Sequence, residues 1–483
     1  MNLIPDLITA IPEVTIVVLT LLLLLYGAFI GNKSTGTVSW LSIIAMCLAA
    51  ILVISTPAER VTAFNQLFIV DEFANYAKLL IIISAVLTII LAMPYNKREN
   101  ILHFEYPILI LFAVLGMMMM VSANDLISLY LGIELQSLSL YILATIRRDS
   151  VKSAEAGLKY FVLGALSSGI LLYGMSMVYG FSGSTSFDNL SIVFENYSGN
   201  NSNIGVIVGL VFIMAGLAFN VSAVPFHMWT PDVYEGAPTP ITAFFAIAPK
   251  VAAMILLIRI LIQPFGEFFD QWQQIIWFIS AASMILGAFA AINQKNIKRL
   301  MAYSSIGHMG FILVGLVAGN ESGTQAVLLY LTVYLFMNIG TFACILAMRR
   351  QDRMVEDIDQ LAGLSRTNPI MAICITVFMF SMAGIPPLAG FFGKYFIFKA
   401  AIEANLYTLT VLGLLASVVS AYYYLRIVKL IYFDDALDSF DLPVGKEISI
   451  ITIGMSIVVV FFIFIIWPIL NTTAIAAATL FAI

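Results

Sequence analysis

The sequence predicts an all-α polytopic membrane protein of about fourteen helices, with two inverted five-helix repeats (helices 4–8 and 9–13) broken at helices 7 and 12. Three observations carry this reading. Of 483 residues, 61% are hydrophobic and only 11% charged, more apolar surface than a soluble core can hide. Apolar runs of membrane-crossing length recur from one end of the chain to the other. The lysines and arginines between those runs fall almost entirely on alternate connections.

Taken in order, the first run covers 7–29. Its first following cation is Lys33, and Asp6 and Glu13 precede it, so the start lacks the basic region of a cleavable signal peptide and reads as a retained helix. Further runs lie at 38–54, 66–93, 106–121, 125–146, 155–180 and 203–227, then at 239–262, 272–292, 298–318, 324–347, 369–400, 404–432 and 448–470. With ~20 residues needed per crossing, these make fourteen helices. The expected organisation is one membrane domain, 1–483, with helices 1–3 in 1–105, a first repeat in 106–262, a second in 272–432 and a last helix at 448–470.

Connections after odd-numbered helices hold Lys33, Lys97, Arg98, Arg147, Arg148, Lys152, Lys295, Lys298, Arg299, Arg349, Arg350, Arg353, Arg366, Arg426, Lys429 and Lys446. Those after even-numbered helices, with both termini, hold only Arg60. One missed span would swap the sides of everything downstream, so the split supports the helix count and places both termini outside the cytoplasm.

The stretch Phe219 to Ala243, FNVSAVPFHMWTPDVYEGAPTPITA, interrupts the seventh helix at Pro225. Its prolines lack backbone donors, and the freed carbonyls need partners other than lipid, so the break faces a cavity or other helices. The twelfth helix breaks at Pro386-Pro387, five helices later. A repeat of odd helix number reverses orientation, which is the pattern of an ion-translocating core.

Glu134, Lys250 and Lys394 sit within helices, and Lys159 lies one turn into the sixth. A charge at mid-helix costs about 2.5 to 3.5 kcal/mol, so four central charges are a large burden unless they act. Low-dielectric surroundings penalise the charged forms, so such groups exchange protons with water chains and make a plausible relay. The plain structural alternative for Glu134 and Lys250 is a static buried ion pair. Lys159 follows Glu155 by four residues and fits a snorkelling surface residue as well as a relay member. His308, in YSSIGHMG, has an imidazole suited to shuttling, though a lone histidine among small residues also fits hydrogen-bonded packing. His227, Asp232 and Glu235 beside the first break are candidate gate residues, with capping of the helix fragments as the plainer role for the two acids. Arg259 marks either the far end of an exit path or an interface, and His103 a loop. Glu13 reads as a first-turn residue with no further role, and Met117–Met120 and Tyr422–Tyr424 as packing and interface residues.

Cys47, Cys344 and Cys374 are few and widely spaced, and no histidine has metal-ligand spacing. Neither a Walker loop nor a dinucleotide fingerprint is present, so any redox cofactors belong to partners.

The segments SAVPFHMWTPDVYEGAPTPITAF from Ser222, AYSSIGHMG from Ala302 and GIPPLAGFFGKY from Gly384, with Asp71 to Lys78 and SAYYYLRIVK from Ser420, carry a resemblance. The chain resembles the antiporter-like membrane subunits of respiratory NADH:quinone oxidoreductase (complex I), the N-type subunits among them. That resemblance implies a proton-translocating chain in the bacterial inner membrane, packed against other membrane-arm subunits and the lipid bilayer. It implies that NADH, FMN, iron-sulfur clusters and quinone are handled elsewhere in the complex, and that nucleic acid is not a partner. Matched by motif, it places a relay on Glu134, Lys250, His308 and Lys394. The family's lysine on the seventh helix is missing, and Asn220 stands there, a group that hydrogen-bonds but does not change charge. Lys159, one helix away in the chain, is the expected substitute partner of Glu134. The alternatives are an Mrp-like cation/proton antiporter subunit and a spacer that has lost pumping.

Overall fold

The computed structural model describes residues 3–56, 59–195, 204–441 and 444–482. The first residue of the seventh run, 203, and the end residues 1, 2 and 483 lie outside the described residues. The chain opens with α1 (Leu3–Thr9), α2 (Ile11–Ile30) and α3 (Thr35–Ser55), then a hairpin of β1 (Val61–Ala63) and β2 (Phe68–Val70). Next come α4 (Glu72–Arg98), α5 (Glu105–Val121), α6 (Leu126–Ala144), α7 (Val151–Ser182) and α8 (Phe187–Glu195). The centre is α9 (Ile204–Asn220), α10 (Trp229–Gly236), α11 (Thr239–Ile262), α12 (Phe269–Ile292), α13 (Ile297–Val317) and α14 (Glu321–Ala347). A two-residue hairpin, β3 (Arg349–Arg350) with β4 (Arg353–Met354), leads to α15 (Leu364–Thr367), α16 (Pro369–Ala383), α17 (Ala389–Glu403), α18 (Tyr407–Phe433), α19 (Lys446–Val460) and α20 (Phe462–Phe481).

Side-chain caps set many of the starts. Asp71 accepts from the Ala74 amide, Asp125 from Ile127 and Ser128, Asn296 from Lys298 and Arg299, and Asn368 from Met371. Three segments depart from the sequence reading. The third helix starts at Glu72 rather than 66, because 61–70 fold back as a hairpin pairing Val61 with Val70. The amphipathic α8, burying Phe187, Leu190 and Phe194, is too short to cross and was not foreseen. The last helical stretch runs on past 470 to Phe481, interrupted only at Phe461.

Connections of like parity gather on one face. Glu99 binds Arg349 at 2.9 Å and Arg147 at 3.2 Å, joining the connections after the third, fifth and eleventh helices. On the other face Asp188 binds Arg60 at 2.7 Å and the Asn124 amide at 2.9 Å, and Thr185 donates to Asp125 at 2.6 Å. Alternating sides is what the cation count required of a correct number of crossings.

α11, α13 and α14 are buried almost along their whole length, and the other helices surround them. Two ion pairs fix the first helices to this centre. The Arg259 guanidinium forks onto both Asp71 oxygens at 2.8 Å, with both side chains fully buried. Lys78 meets Glu13 at 2.7 Å, both almost fully buried. Arg259 is thereby corrected from an interfacial residue or a free path end to a buried partner of Asp71; Glu13 lies in the first turn of α2 as read, but has a further role through its partner two helices away. A buried charge needs such a counter-charge, and each partner is remote in sequence.

Helix pairs in the two halves approach through glycine. A Cβ on Gly116 (α5) would lie 2.6 Å from the Gln136 nitrogen on α6, and one on Gly287 (α12) 2.6 Å from the Gly307 nitrogen on α13. Gly287→Val is therefore expected to force α12 from α13 and to cost about 1–3 kcal/mol or more, as overpacked cores do. Thermal unfolding in detergent checks this, with Gly454→Ala, which meets nothing within 4 Å, as the neutral control.

Burial alone would lift the Glu356 carboxyl, but the Lys298 ammonium and the Asn296 amide, at 2.9 and 3.0 Å, hold it below the usual carboxylate range. A lowered folded value means its contribution is fully present above an ordinary glutamate's 4.5 and is lost as pH falls through the folded value. Acidification below 4.5 and through the lowered folded value is expected to loosen the loop 348–357 from α13, read as faster limited proteolysis, and Glu356→Gln to remove that acid dependence.

Candidate functional site

The two breaks expose backbone in the middle of the bundle, and both are satisfied by protein groups. At the first, α9 stops at Asn220 and residues 221–228 turn before α10. The Trp229 indole donates to the Phe219 carbonyl at 3.1 Å and stacks on Tyr160 at 4.4 Å, while the Val224 amide donates to Ser283 at 2.9 Å. At the second, α16 ends on Gly384, whose φ of +89° favours glycine, and α17 begins at Ala389. The Gly390 amide donates to Ser381 Oγ at 2.9 Å.

Lys394 answers the second break directly. Its Nζ donates to the Met382 and Ala383 carbonyls at 3.1 and 3.0 Å and to Ser417 Oγ on α18 at 2.8 Å. The carbonyl end of α16 carries the negative pole of its dipole, so it stabilises the ammonium without a carboxylate. Lys394 also lies over the Phe311 ring at 4.8 Å. A cavity of about 550 Å³ between α17 and α18 reaches Lys394 past Phe391, Tyr395, Ser417 and Glu403.

Lys250 sits on α11 with no exposure. Its Nζ donates to Ser305 Oγ at 2.6 Å, and Ser305 shares a hydrogen bond of 2.7 Å with Tyr334. His308 is held at both ring nitrogens, Nδ1 by the Tyr330 hydroxyl at 2.8 Å and Nε2 by the Tyr424 hydroxyl at 3.1 Å. Tyr424 in turn meets Ser304 at 2.5 Å. Ser304, Ser305 and His308 are one turn apart on α13, so that helix brings the Lys250 and His308 hydroxyl chains side by side. Tyr330 continues the line: a Cβ on Gly393, next to Lys394, would touch its ring at 2.8 Å. The structure thus assembles Lys250, His308 and Lys394 around neutral hydroxyls.

Glu134 stands apart. Its carboxylate accepts from Ser168 on α7, whose hydroxyl also meets Tyr130 at 3.2 Å. The described contacts give it no cation. Asn220 donates to the Gly216 carbonyl at 3.1 Å, and Ser167 to the same oxygen at 3.3 Å. An amide and two serines therefore lie where a charged pair was expected.

Lys159 does not replace the missing lysine. Its amine is on Asp232 at 2.6 Å and Glu155 at 2.8 Å, nine residues or about 13 Å along α7 from Ser168. Asp232 gives its other oxygen to Arg299 at 2.7 Å; Arg299 also reaches Glu235 at 3.2 Å, and Lys152 reaches Glu235 at 3.3 Å. These six side chains, three of each sign, line a polar cavity of about 170 Å³. Asp232 and Glu235 are thus ion-pair hubs rather than caps. His227 lies in the turn with its buried Nδ1 unpartnered.

Tyr424 corrects the packing reading given to Tyr422–Tyr424, since its hydroxyl holds His308 while Tyr422 stays exposed. The methionines at 117, 118 and 120 are wholly buried, and His103 lies between α4 and α5, as expected. Ser304 and Ser305 were legible as the hydroxyls one turn before His308; Tyr330, Tyr334 and Ser168 had no local signal.

With this geometry in view, the family described as NADH:quinone oxidoreductase/Mrp antiporter, TM, matches residues 123–420. A Paramagnetospirillum magneticum protein named NADH-quinone oxidoreductase subunit N is 56% identical over 478 residues, covering 99% of this chain and 98% of the relative. One of the same name from Rhodospirillum rubrum is 58% identical, covering 94% and 93%. Among solved structures, a chain of respiratory complex I from Thermus thermophilus superposes with a TM-score of 0.82 at 31% identity, covering 96% of this chain and 99% of that one. A chain of the Mrp complex from Dietzia matches with a TM-score of 0.81 at 21% identity, covering 100% and 98%, a likeness of fold alone.

Tyr424→Phe or Tyr330→Phe leaves one nitrogen of a buried imidazole unpaired, which is expected to cost about 1–3 kcal/mol. Tyr422→Phe, at an exposed position, is expected to stay within about 0.5 kcal/mol. Thermal unfolding in detergent checks both.

Proposed function

The chain belongs to the NADH:quinone oxidoreductase/Mrp antiporter family, and from that premise we propose that it is the N-type proton-translocating subunit of the membrane arm of an NADH:quinone oxidoreductase. NADH oxidation and quinone reduction, with FMN and iron-sulfur clusters, belong to other subunits of that complex. This chain's own work is moving protons across the membrane in step with them.

One observation carries the reading. Among the described residues, Lys250, His308 and Lys394 are buried with no carboxylate partner, and each is bonded to neutral oxygens. A static ion pair would hold helices together, as Asp71–Arg259 does. An amine bonded to a serine hydroxyl keeps a path along which a proton is passed, since serine and tyrosine both donate and accept. Lys250 is the donor and acceptor of the central segment, through Ser305 and Tyr334. His308 exchanges with the Tyr330 and Tyr424 hydroxyls, and Lys394 connects the line to the cavity beside α18. His227, Asp232 and Glu235 belong to the gate at the first break, and Glu134, bonded to Ser168, is the acid of the first unit.

The two five-helix units, 106–262 and 272–432, are part of this proposal; the matched glycine crossings and the two breaks five helices apart support them. So is the orientation, with both termini on the non-cytoplasmic side of a bacterial inner membrane, supported by the one-sided cations. Asn220 favours a second reading for the first unit only: a carboxylate without a switching lysine serves as a fixed element there while the second unit pumps.

NADH-driven proton uptake and electron transfer, recorded together in membrane vesicles, test the proposal. Lys250→Ala and Lys394→Ala are expected to lower protons taken up per NADH, with electron transfer unchanged or slowed in step. Unchanged ratios in both variants would sink it. Glu134→Gln decides the second reading: a lowered ratio puts the first unit in the relay, an unchanged one makes it a fixed element.

A further inference from the structure

Lys298 and Arg299 lie in the first turn of α13, where the positive pole of the helix dipole disfavours cations. Two adjacent cations in that place need a reason, and both reach α10. Arg299 donates to Asp232 at 2.7 Å and Glu235 at 3.2 Å. Lys298, almost fully buried, donates to the Ala237 carbonyl at 2.9 Å, at the negative end of α10, and to Glu356 at 2.9 Å. The first turn of one helix thus grips α10 by its acidic side chains and by its carboxyl terminus.

α10 is the piece that follows the first break, and α13 is the helix that carries Ser304, Ser305 and His308. Ser305 is the hydrogen-bond acceptor of Lys250 and lies six residues, roughly 9 Å, beyond Arg299 on the same rigid helix. Asp232 has its second oxygen on Lys159 of α7, so a single carboxylate joins α7, α10 and α13. An interrupted helix is where a short segment can change direction without unwinding a continuous one.

Building on the proton-translocation reading above, we propose that Arg299, seconded by Lys298, is a positioning residue. It transmits the position of the broken segment α10 in the first unit to α13, and so sets the hydrogen bond between Ser305 and Lys250. The two halves are coupled through a clamp at the cation-rich face, in addition to the hydroxyl line inside. A cation suits this because both bonds leave one nitrogen, Nη1, which carries two protons and reaches Asp232 and Glu235 together.

The test uses the assembled complex in membrane vesicles, with Lys250→Ala alongside. Arg299→Gln keeps a donor and loses the charge, and Asp232→Asn breaks the same bond from the α10 side. Both are expected to lower protons per NADH to an extent comparable with Lys250→Ala, while NADH oxidation by a soluble acceptor, a measure of assembly, is retained. Arg299→Lys is expected to restore most of the ratio. Hydrogen exchange read by mass spectrometry is expected to rise at the α13 amides around 300–308 in Arg299→Gln. A ratio unchanged in both Arg299→Gln and Asp232→Asn, or Arg299→Lys as impaired as Arg299→Gln, would overturn the clamp while leaving Lys250 in its role. An insensitive Lys250→Ala would instead overturn the translocation reading on which the clamp rests.

Discussion

A bilayer supplies no water to satisfy an opened hydrogen bond, and the arrangement of this protein follows from that constraint. Two helices are interrupted in mid-bundle, and the carbonyls they free have to be met by side chains. At the second break the answer is Lys394, whose ammonium takes the last carbonyls of α16. At the first it is the Trp229 indole, which takes the Phe219 carbonyl and stacks on α7 through Tyr160. One break is thus closed by a group that can change its charge and the other by one that cannot. That difference in chemistry separates the two halves more sharply than their common architecture joins them.

The buried charges divide along the same line. Asp71–Arg259 and Glu13–Lys78 are closed pairs that hold the first helices to the centre, and removing one member of such a pair strands the other. Lys250, His308 and Lys394 are bonded to hydroxyls and carbonyls alone. A hydroxyl partner stabilises either protonation state of an amine or imidazole by reversing its own donor and acceptor roles, whereas a carboxylate favours the charged state only. The first set is closed by opposite charges, and the second is bonded to neutral groups.

Local pattern made most of the fold legible. The eighth helix runs from Thr239 to Ile262 as read, because Pro238 and Pro240 open it and Gln263-Pro264 closes it. The hairpin at 61–70 was not legible, since Phe68, Ile69 and Val70 are as apolar as the helix that follows and merge with it in any count of hydrophobic residues. At the site, the charged residues could be named but their partners could not. Glu13 finds Lys78, Arg259 finds Asp71, and His308 finds Tyr424 across 116 residues, and no periodicity announces such contacts. Lys159 lies one helix from Glu134 in sequence, but along the helix axis it is two and a half turns too far, and its amine is on Asp232.

Asn220 then has a definite structural meaning. An amide at the end of α9 spends its donor on the Gly216 carbonyl of its own helix, the oxygen that Ser167 of α7 also uses. A lysine there would bring a charge into a region where Glu134 and Ser168 already satisfy each other, and would need that carboxylate as its counter-ion. With asparagine the region is electrically quieter: one carboxyl group with neutral donors around it. The lysine that the resemblance puts on this helix is replaced by a neutral hydrogen-bonded group, and an ionic cluster lies nearer the surface around Asp232. At that surface Asp232 bonds Lys159 of α7 and Arg299 of α13, so the segment after the first break is tied by charge to both helices.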